Sequence, residues 1–124
     1  MQNDRRTRKR KIGDAAEQAV ADKLTRDGFK VICRNYAVHN VGELDLVMEK
    51  DRDIYVVEVR SRLNSGPYPS SLESVDYKKR RKIIRCTGYM LSHYGLTDRN
   101  VVFLIGQVTH NRVGLVQNVE IIPF

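Results

Sequence analysis

Cysteine is scarce in this chain. Cys33 and Cys86 are the only two, and neither stands in a CxxC or CxxH spacing. Two isolated thiols favour neither a disulfide framework nor a zinc site. We therefore expect reduced cysteines and a cytoplasmic protein.

Long hydrophobic runs are also missing. No stretch reaches the 18 or so apolar residues that a membrane-spanning helix requires. The first 13 residues are basic, but the following segment, DAAEQAVADKL, carries acids where a secretory signal needs an unbroken apolar core. We expect a soluble protein that is not exported.

The charge is unevenly distributed along the 124 residues, whose net charge is +7. Residues 1–11 and residues 76–85 each contain six Lys or Arg and one Asp, a net charge of +5 in each segment. The remainder is therefore acidic. Two basic segments around an acidic remainder favour a polyanionic partner. For residues 1–11 alone, a disordered tail that aids solubility is an equally good interpretation.

Hydrophobic periodicity predicts one α/β domain over residues 12–124, preceded by a flexible basic arm over residues 1–11. Helices are predicted from Asp14 to Arg26 and from Val75 or Asp76 to about Tyr94, the second with Ile83, Ile84, Thr87, Met90 and Leu91 on its apolar side. Strands are predicted over 29–36, 43–49, 54–61, 101–109 and 113–122, with an exposed loop over 63–74. The order α-β-β-β-α-β-β indicates a mixed sheet with helices on its faces.

Charged residues interrupt the apolar runs of the second and third strands. Strict alternation places Asp45 and Val47 on one face of the second strand, and Leu44 and Leu46 on the other. The third strand is apolar on both faces, the pattern of a central strand, yet it contains Glu58.

A hairpin through KDRD would place these strands side by side, so Asp45 and Glu58 can meet if the register allows. Two adjacent carboxylates raise each other's proton affinity unless a divalent cation lies between them. Oxygen ligands of this kind favour Mg²⁺ or Mn²⁺. The alternative is a structural ion network with Arg60, Arg62 or Arg34.

Asp45, followed after twelve residues by Glu58, Val59 and Arg60, resembles the D…(D/E)xK core of the restriction-endonuclease-like superfamily. The segments AEQAVADKLTRDGF, CRNY, GELDLV, VVEVRSR and ESVDYKK follow the order of the YraN-like family. That uncharacterised endonuclease-like family is similar to archaeal Holliday junction resolvases. The resemblance covers about residues 13–105.

The resemblance implies a restriction-endonuclease-like fold and metal-dependent hydrolysis of phosphodiester bonds in DNA. It implies that Asp45 and Glu58 bind Mg²⁺ or Mn²⁺ and that Glu17 approaches the same site. Glu43 matches the acid that precedes the metal-binding aspartate. In the expected mechanism the backbone carbonyl of Val59 is a further metal ligand. Glu17 alternatively favours the dipole of its own helix.

Basic residues at the start of the second helix are expected to bind the phosphate backbone without reading sequence. They are Lys78, Lys79, Arg80 and Arg81. No recognition helix is apparent, so we expect selectivity for shape, such as a junction, a flap or a single strand. Resolvase-like relatives are dimers, which makes a homodimer possible.

The sequence departs from the family pattern at two positions. The usual lysine is Arg60, which cannot be deprotonated near neutral pH. Arg60 can still stabilise negative charge, but any role in deprotonating water is lost. Leu104 follows Phe103 where the family commonly has an aspartate. The alternative function is therefore a catalytically impaired nucleic-acid-binding module of the same fold. A structural protein with internal ion pairs would leave both basic segments unexplained.

Overall fold

The computed structural model describes residues 4–64 and 76–124, with the side chains of residues 4–6 excepted. Its elements within these ranges are α1 (Asp4–Arg26), β1 (Lys30–Val38), β2 (Gly42–Lys50), β3 (Asp53–Leu63), α2 (Tyr77–Tyr94), β4 (Val101–His110) and β5 (Val116–Pro123). The predicted element order is confirmed. Most of the loop predicted over 63–74 lies outside the described residues. Neither α1 nor α2, as described, is long and apolar enough to cross a membrane.

The five strands form one mixed sheet in the order β1-β2-β3-β4-β5. β3 and β4 are parallel because α2 connects them, whereas the other neighbouring strands are antiparallel. α1 packs on one face of the sheet and α2 on the other. In β3, Val57 faces α1 and Val56 faces α2, which confirms the prediction of a central strand covered on both sides.

A two-residue turn joins β2 to β3. Asp51 and Arg52 have φ values of 50° and 74°, and Lys50 pairs with Asp53. Two successive left-handed residues match the right-handed twist of the flanking strands, which favours a tight hairpin. The predicted hairpin is therefore confirmed, and its turn fixes the register between β2 and β3.

α1 begins at Asp4, ten residues before its predicted start. Residues 4–11, which were predicted to form a flexible arm, are helical instead. The apolar stripe further along packs as predicted, with Val20 and Leu24 buried against Leu46 and Val57. Helix formation is cooperative, and Lys and Arg are good helix formers, so a packed segment can extend through basic residues that have no hydrophobic period. The side chain of Arg8 also donates to the backbone carbonyl of Arg112.

α2 has a clear start and a clear end. Asp76 caps its first turn by accepting a hydrogen bond from the backbone N–H of Lys79 at 3.0 Å, and Gly95 ends it in a left-handed conformation. The buried stripe contains Ile83, Cys86, Thr87 and Met90. Ile84 was predicted to lie on this apolar side, but the prediction is wrong, since Ile84 is 54% exposed. Successive helical residues are turned by about 100°, and Ile84 lies about 100° away from the centre of the buried stripe, so its side chain points toward solvent.

Gly106 on β4 allows α1 to approach the sheet closely. A Cβ atom at this position would lie 2.7 Å from Cγ2 of the buried Val20 side chain. We expect Gly106→Ala to lower the free energy of unfolding by roughly 1–3 kcal/mol, because the added methyl overpacks the core. Urea denaturation measures this change. Gly88→Ala on α2 is the matched control, since its added Cβ meets no described atom within 4 Å other than those of its chain neighbours and its own helix backbone. Equal stability of Gly106→Ala and the unsubstituted protein would contradict this close approach.

Candidate metal centre

The site lies where β2 and β3 part. The two strands pair from Lys50 and Asp53 as far as Leu46 and Val57. Beyond these residues β2 continues its pairing with β1, and β3 continues its pairing with β4. We call this point the fork. Asp45 and Glu58 are the first residues beyond the last pair, one on each strand.

The alternation of faces along β2 is broken at the fork. Leu44 packs in the cluster under α2, whereas Leu46 packs in the cluster under α1. The prediction that these two leucines share a face is therefore wrong. On the neighbouring β1, Asn35 has a φ of 51°, a left-handed conformation that Asn tolerates better than most residues. Both strands are thus irregular at the level of Asp45, and tertiary packing overrides the two-residue period.

Asp45 binds the neighbouring strand through its side chain. Its Oδ2 accepts a hydrogen bond from the backbone N–H of Val59 at 2.9 Å. Burial raises the pKa of Asp45 to about 7, and the negative charge of Glu58 adds to this rise. The Val59 hydrogen bond opposes the shift, while the charge of Glu17 raises the pKa further. Asp45 and Glu58 therefore meet electrostatically, as predicted, and Asp45 changes its protonation state near neutral pH.

Glu58 is buried and has a cationic partner. Its side chain is 7% exposed, and its Oε1 lies 2.5 Å from Nζ of Lys79 on α2. A buried carboxylate needs such a partner, because an uncompensated charge in the interior is strongly destabilising. This partner comes from α2. It is a lysine, whereas only arginines were considered as partners from the sequence. Lys79 was expected to bind phosphate, but the structure directs its ammonium group to Glu58.

Glu17 brings a third acid from α1. A small cavity lies between α1 and the fork, and it is lined by Gly13, Ala16, Glu17, Asp45, Val59 and Ser61. The Oε1 atom of Glu17 is buried and has no hydrogen-bond partner among the described residues. Burial raises the pKa of Glu17, as do the charges of Asp14 and Glu43, whereas Arg34 opposes the shift. Glu43 itself is exposed.

These acids do not form a preassembled cage. Within residues 4–64 and 76–124, no three His, Cys, Asp or Glu side chains are arranged as a metal-binding group. The donor chemistry nevertheless fits Mg²⁺ or Mn²⁺, because Mg²⁺ commonly uses one or two carboxylates and keeps several waters. Asp45 and Glu58 are two carboxylates that meet at the fork, and Glu17 has a buried oxygen beside the neighbouring cavity. That these acids bind a cation stays a prediction. The Val59 carbonyl stays a predicted ligand.

Residues 16–116 match the model of the Uncharacterised protein family UPF0102. The chain belongs to the UPF0102 family. It is similar to the UPF0102 protein of Moorella thermoacetica, at 35% identity over 92% of this chain and 93% of the relative. It is also similar to the UPF0102 proteins of Persephonella marina, at 32% identity over 86% and 90%, and of Clostridioides difficile, at 34% identity over 77% and 82%. The predicted family membership is confirmed, while the relation to nucleases stays a prediction.

The basic residues of this UPF0102 chain divide according to their position around α2. Lys78 and Arg81 are exposed and face away from the sheet, as expected for phosphate contacts. Lys82 and Arg85, which the site prediction left out, are also exposed, and Lys82 lies next to Gly42 at the start of β2. We call these four residues the outer basic face. The helical period could have identified all four, because they fall within about 100° of one another around the helix.

Arg80 and Arg60 have surroundings different from those of the outer basic face. The guanidinium of Arg80 lies over the Phe124 ring, 5.3 Å from the centroid, and its Nε is buried. Arg80 therefore packs against Phe124, directly after β5, as well as carrying charge. Arg60 is half-buried on β3, two residues after Glu58 and on the same face of the strand. A catalytic role for Arg60 stays a prediction.

We expect the stability of the metal-free protein to depend on pH through Asp45. Its pKa rises from an ordinary value of 3.8 to about 7, so the folded state binds the proton more tightly than the unfolded chain. This contribution is complete below the unfolded pKa and is lost as the pH rises through the folded pKa. Relative to Asp45→Asn, the unsubstituted protein should lose roughly 2 kcal/mol between pH 4 and 8, after a discount for partial solvent exposure.

The comparison uses urea denaturation in the presence of a chelator at several pH values. Asn is nearly isosteric and its side-chain oxygen can still accept the Val59 hydrogen bond. Glu120→Gln on β5, where the acid is exposed, is the control for loss of one carboxylate. Parallel pH profiles for Asp45→Asn and the unsubstituted protein would contradict the raised pKa.

Proposed function

We propose that this protein is a metal-dependent nuclease-like protein, which binds DNA and hydrolyses its phosphodiester bonds with Mg²⁺ or Mn²⁺. The observation that supports it best is the meeting of Asp45 and Glu58 at the fork, with the pKa of Asp45 raised to about 7. Burial raises the Asp45 pKa most and the charge of Glu58 raises it further, and a divalent cation would stabilise two such carboxylates in their charged forms. A cytoplasmic location is consistent with the free thiols of Cys33 and Cys86.

The chain's own residues have distinct roles in this proposal. Asp45 and Glu58 would hold the cation, and the Val59 N–H orients the Asp45 carboxylate. The buried oxygen of Glu17 faces the same region from α1. Arg60 supplies fixed positive charge beside the acids, where negative charge grows on a phosphate under attack. A bound divalent cation would lower the pKa of its water and stabilise that charge.

DNA binding is proposed from the charge of α2. The helix contains no acidic residue, and the outer basic face presents four exposed cations to solvent. Such contacts neutralise phosphates and release condensed counterions, so they fix position on the backbone without reading bases. We therefore propose selectivity for DNA shape, including branched and single-stranded forms.

A catalytically impaired nucleic-acid-binding module is the second candidate. The observation that favours it is Arg60, which stands where the resembling nucleases have a lysine. Arg keeps its proton at any physiological pH, so it can stabilise charge but cannot take part in proton transfer. The two functions share every DNA contact and differ only in whether the bond is cut.

We expect the protein to cleave branched or single-stranded DNA when Mn²⁺ is supplied. Asp45→Asn and Glu58→Gln should each cut about 100-fold more slowly, because each removes a charged oxygen ligand of the cation. Glu120→Gln is the matched control, and gel electrophoresis of labelled DNA measures the rate. Salt-sensitive binding without cutting by any variant would support the binding module. If only Arg60→Lys cuts DNA, the loss of cleavage in the unsubstituted protein is assigned to Arg60.

Replacing Lys78 and Arg81 together by alanine should weaken DNA binding and reduce its salt dependence. The slope of the logarithm of the binding constant against the logarithm of salt concentration should fall by roughly 1.8, about 0.9 for each lost duplex phosphate contact. Fluorescence anisotropy with duplex-armed DNA measures it.

Arg26→Ala with Lys30→Ala is the control for this pair of substitutions. Arg26 ends α1 and Lys30 begins β1, and both side chains are exposed. The control removes the same net charge from elsewhere on the surface, so an equal loss of slope in both double variants would contradict a DNA-binding role specific to the outer basic face.

A further inference from the structure

Among the contacts within residues 4–64 and 76–124, Lys79 combines two properties that the other basic residues near the start of α2 do not share. Its Nζ lies 2.5 Å from Oε1 of Glu58, whose side chain is 7% exposed. The Lys79 side chain is itself 50% exposed, so its other side borders solvent. One end of a buried ion pair is therefore anchored in the sheet, whereas the other end can leave it.

The position of Lys79 follows from the geometry of α2. Lys79, Ile83, Cys86 and Met90 are spaced by four, three and four residues, which is one stripe of a helix. The last three are buried against the sheet. The cap by Asp76 fixes the first turn of α2. Lys79 therefore lies on the same stripe as the buried residues, at the end of the stripe that contacts Glu58.

We propose that Lys79 is a built-in counter-ion of the fork, which a divalent cation must displace from Glu58 in order to bind. This inference rests on the proposed metal site. Glu58 is too buried to remain uncompensated, so it requires a cation in the metal-free protein. Lysine suits a replaceable partner, because its ammonium group is a strongly hydrated point charge on a flexible stem, unlike the two-pronged guanidinium of arginine. Lys79 thus sets metal affinity by competition.

The test is calorimetric titration of the full chain with MnCl₂. Lys79→Met keeps most of the side-chain length but removes the competing charge, and it should bind Mn²⁺ about tenfold more tightly. Lys79→Arg should hold Glu58 more firmly and bind Mn²⁺ more weakly than the unsubstituted protein. Lys78→Met on the outer basic face removes a neighbouring charge without the Glu58 contact, so it should change the affinity little.

A second readout covers the possibility that Lys79→Met folds poorly. Without metal its thermal midpoint should fall, because Glu58 loses its partner, and saturating Mn²⁺ should raise that midpoint by more than it raises that of the unsubstituted protein. In the Glu58→Gln background, substitution of Lys79 should no longer change either measurement.

The outcomes separate this inference from the proposed function. If the unsubstituted protein binds Mn²⁺ but Lys79→Met binds equally or more weakly, the competition is overturned and the metal site stands. If Mn²⁺ binds to neither protein, the metal site is wrong and the inference falls with it. An affinity gain as large in Lys78→Met as in Lys79→Met would also overturn it, because general charge rather than the ion pair would then explain the effect.

Discussion

The hydrogen bond from the Val59 N–H to Asp45 is the contact on which the site depends. Where β2 and β3 part, a backbone donor loses its partner on the neighbouring strand and must find another acceptor. A carboxylate meets that need, but it brings a negative charge into a partly buried place. Glu58 directly precedes Val59 on β3, so the hydrogen bond that satisfies the Val59 N–H also brings Asp45 close to Glu58. The parting of the two strands at the fork is therefore the reason that the pKa of Asp45 is raised.

The helices complete what the strands begin. α2 follows β3 and crosses over the sheet to the parallel β4, so its first turn lies near the fork and Lys79 reaches Glu58. α1 covers the opposite face and brings Glu17 to the small cavity that Asp45 and Val59 also line. The acids and the lysine come from four separate elements. A balance of opposite charges, rather than a preassembled cage, characterises these side chains.

Most of the fold could be predicted from the sequence because its elements obey their local periods. The apolar stripe of α1 and the two-sided apolar pattern of β3 require burial wherever they are placed, and the short polar turn at Asp51 permits only a hairpin. The start of α1 could not be predicted in this way. Its first turns carry no apolar period, and their helical form follows from extension of a packed segment rather than from burial.

The sequence by itself singled out Asp45 and Glu58, because they are carboxylates inside runs that must be buried. Only the tertiary structure decided which groups these two acids contact. Strand alternation fails at Asp45, since packing of Leu44 and Leu46 on opposite faces outweighs the two-residue period. The choice of Lys79 as the partner of Glu58 likewise depended on how α2 is rotated against the sheet. Local spacing specifies a face of a helix, but only packing specifies what that face meets.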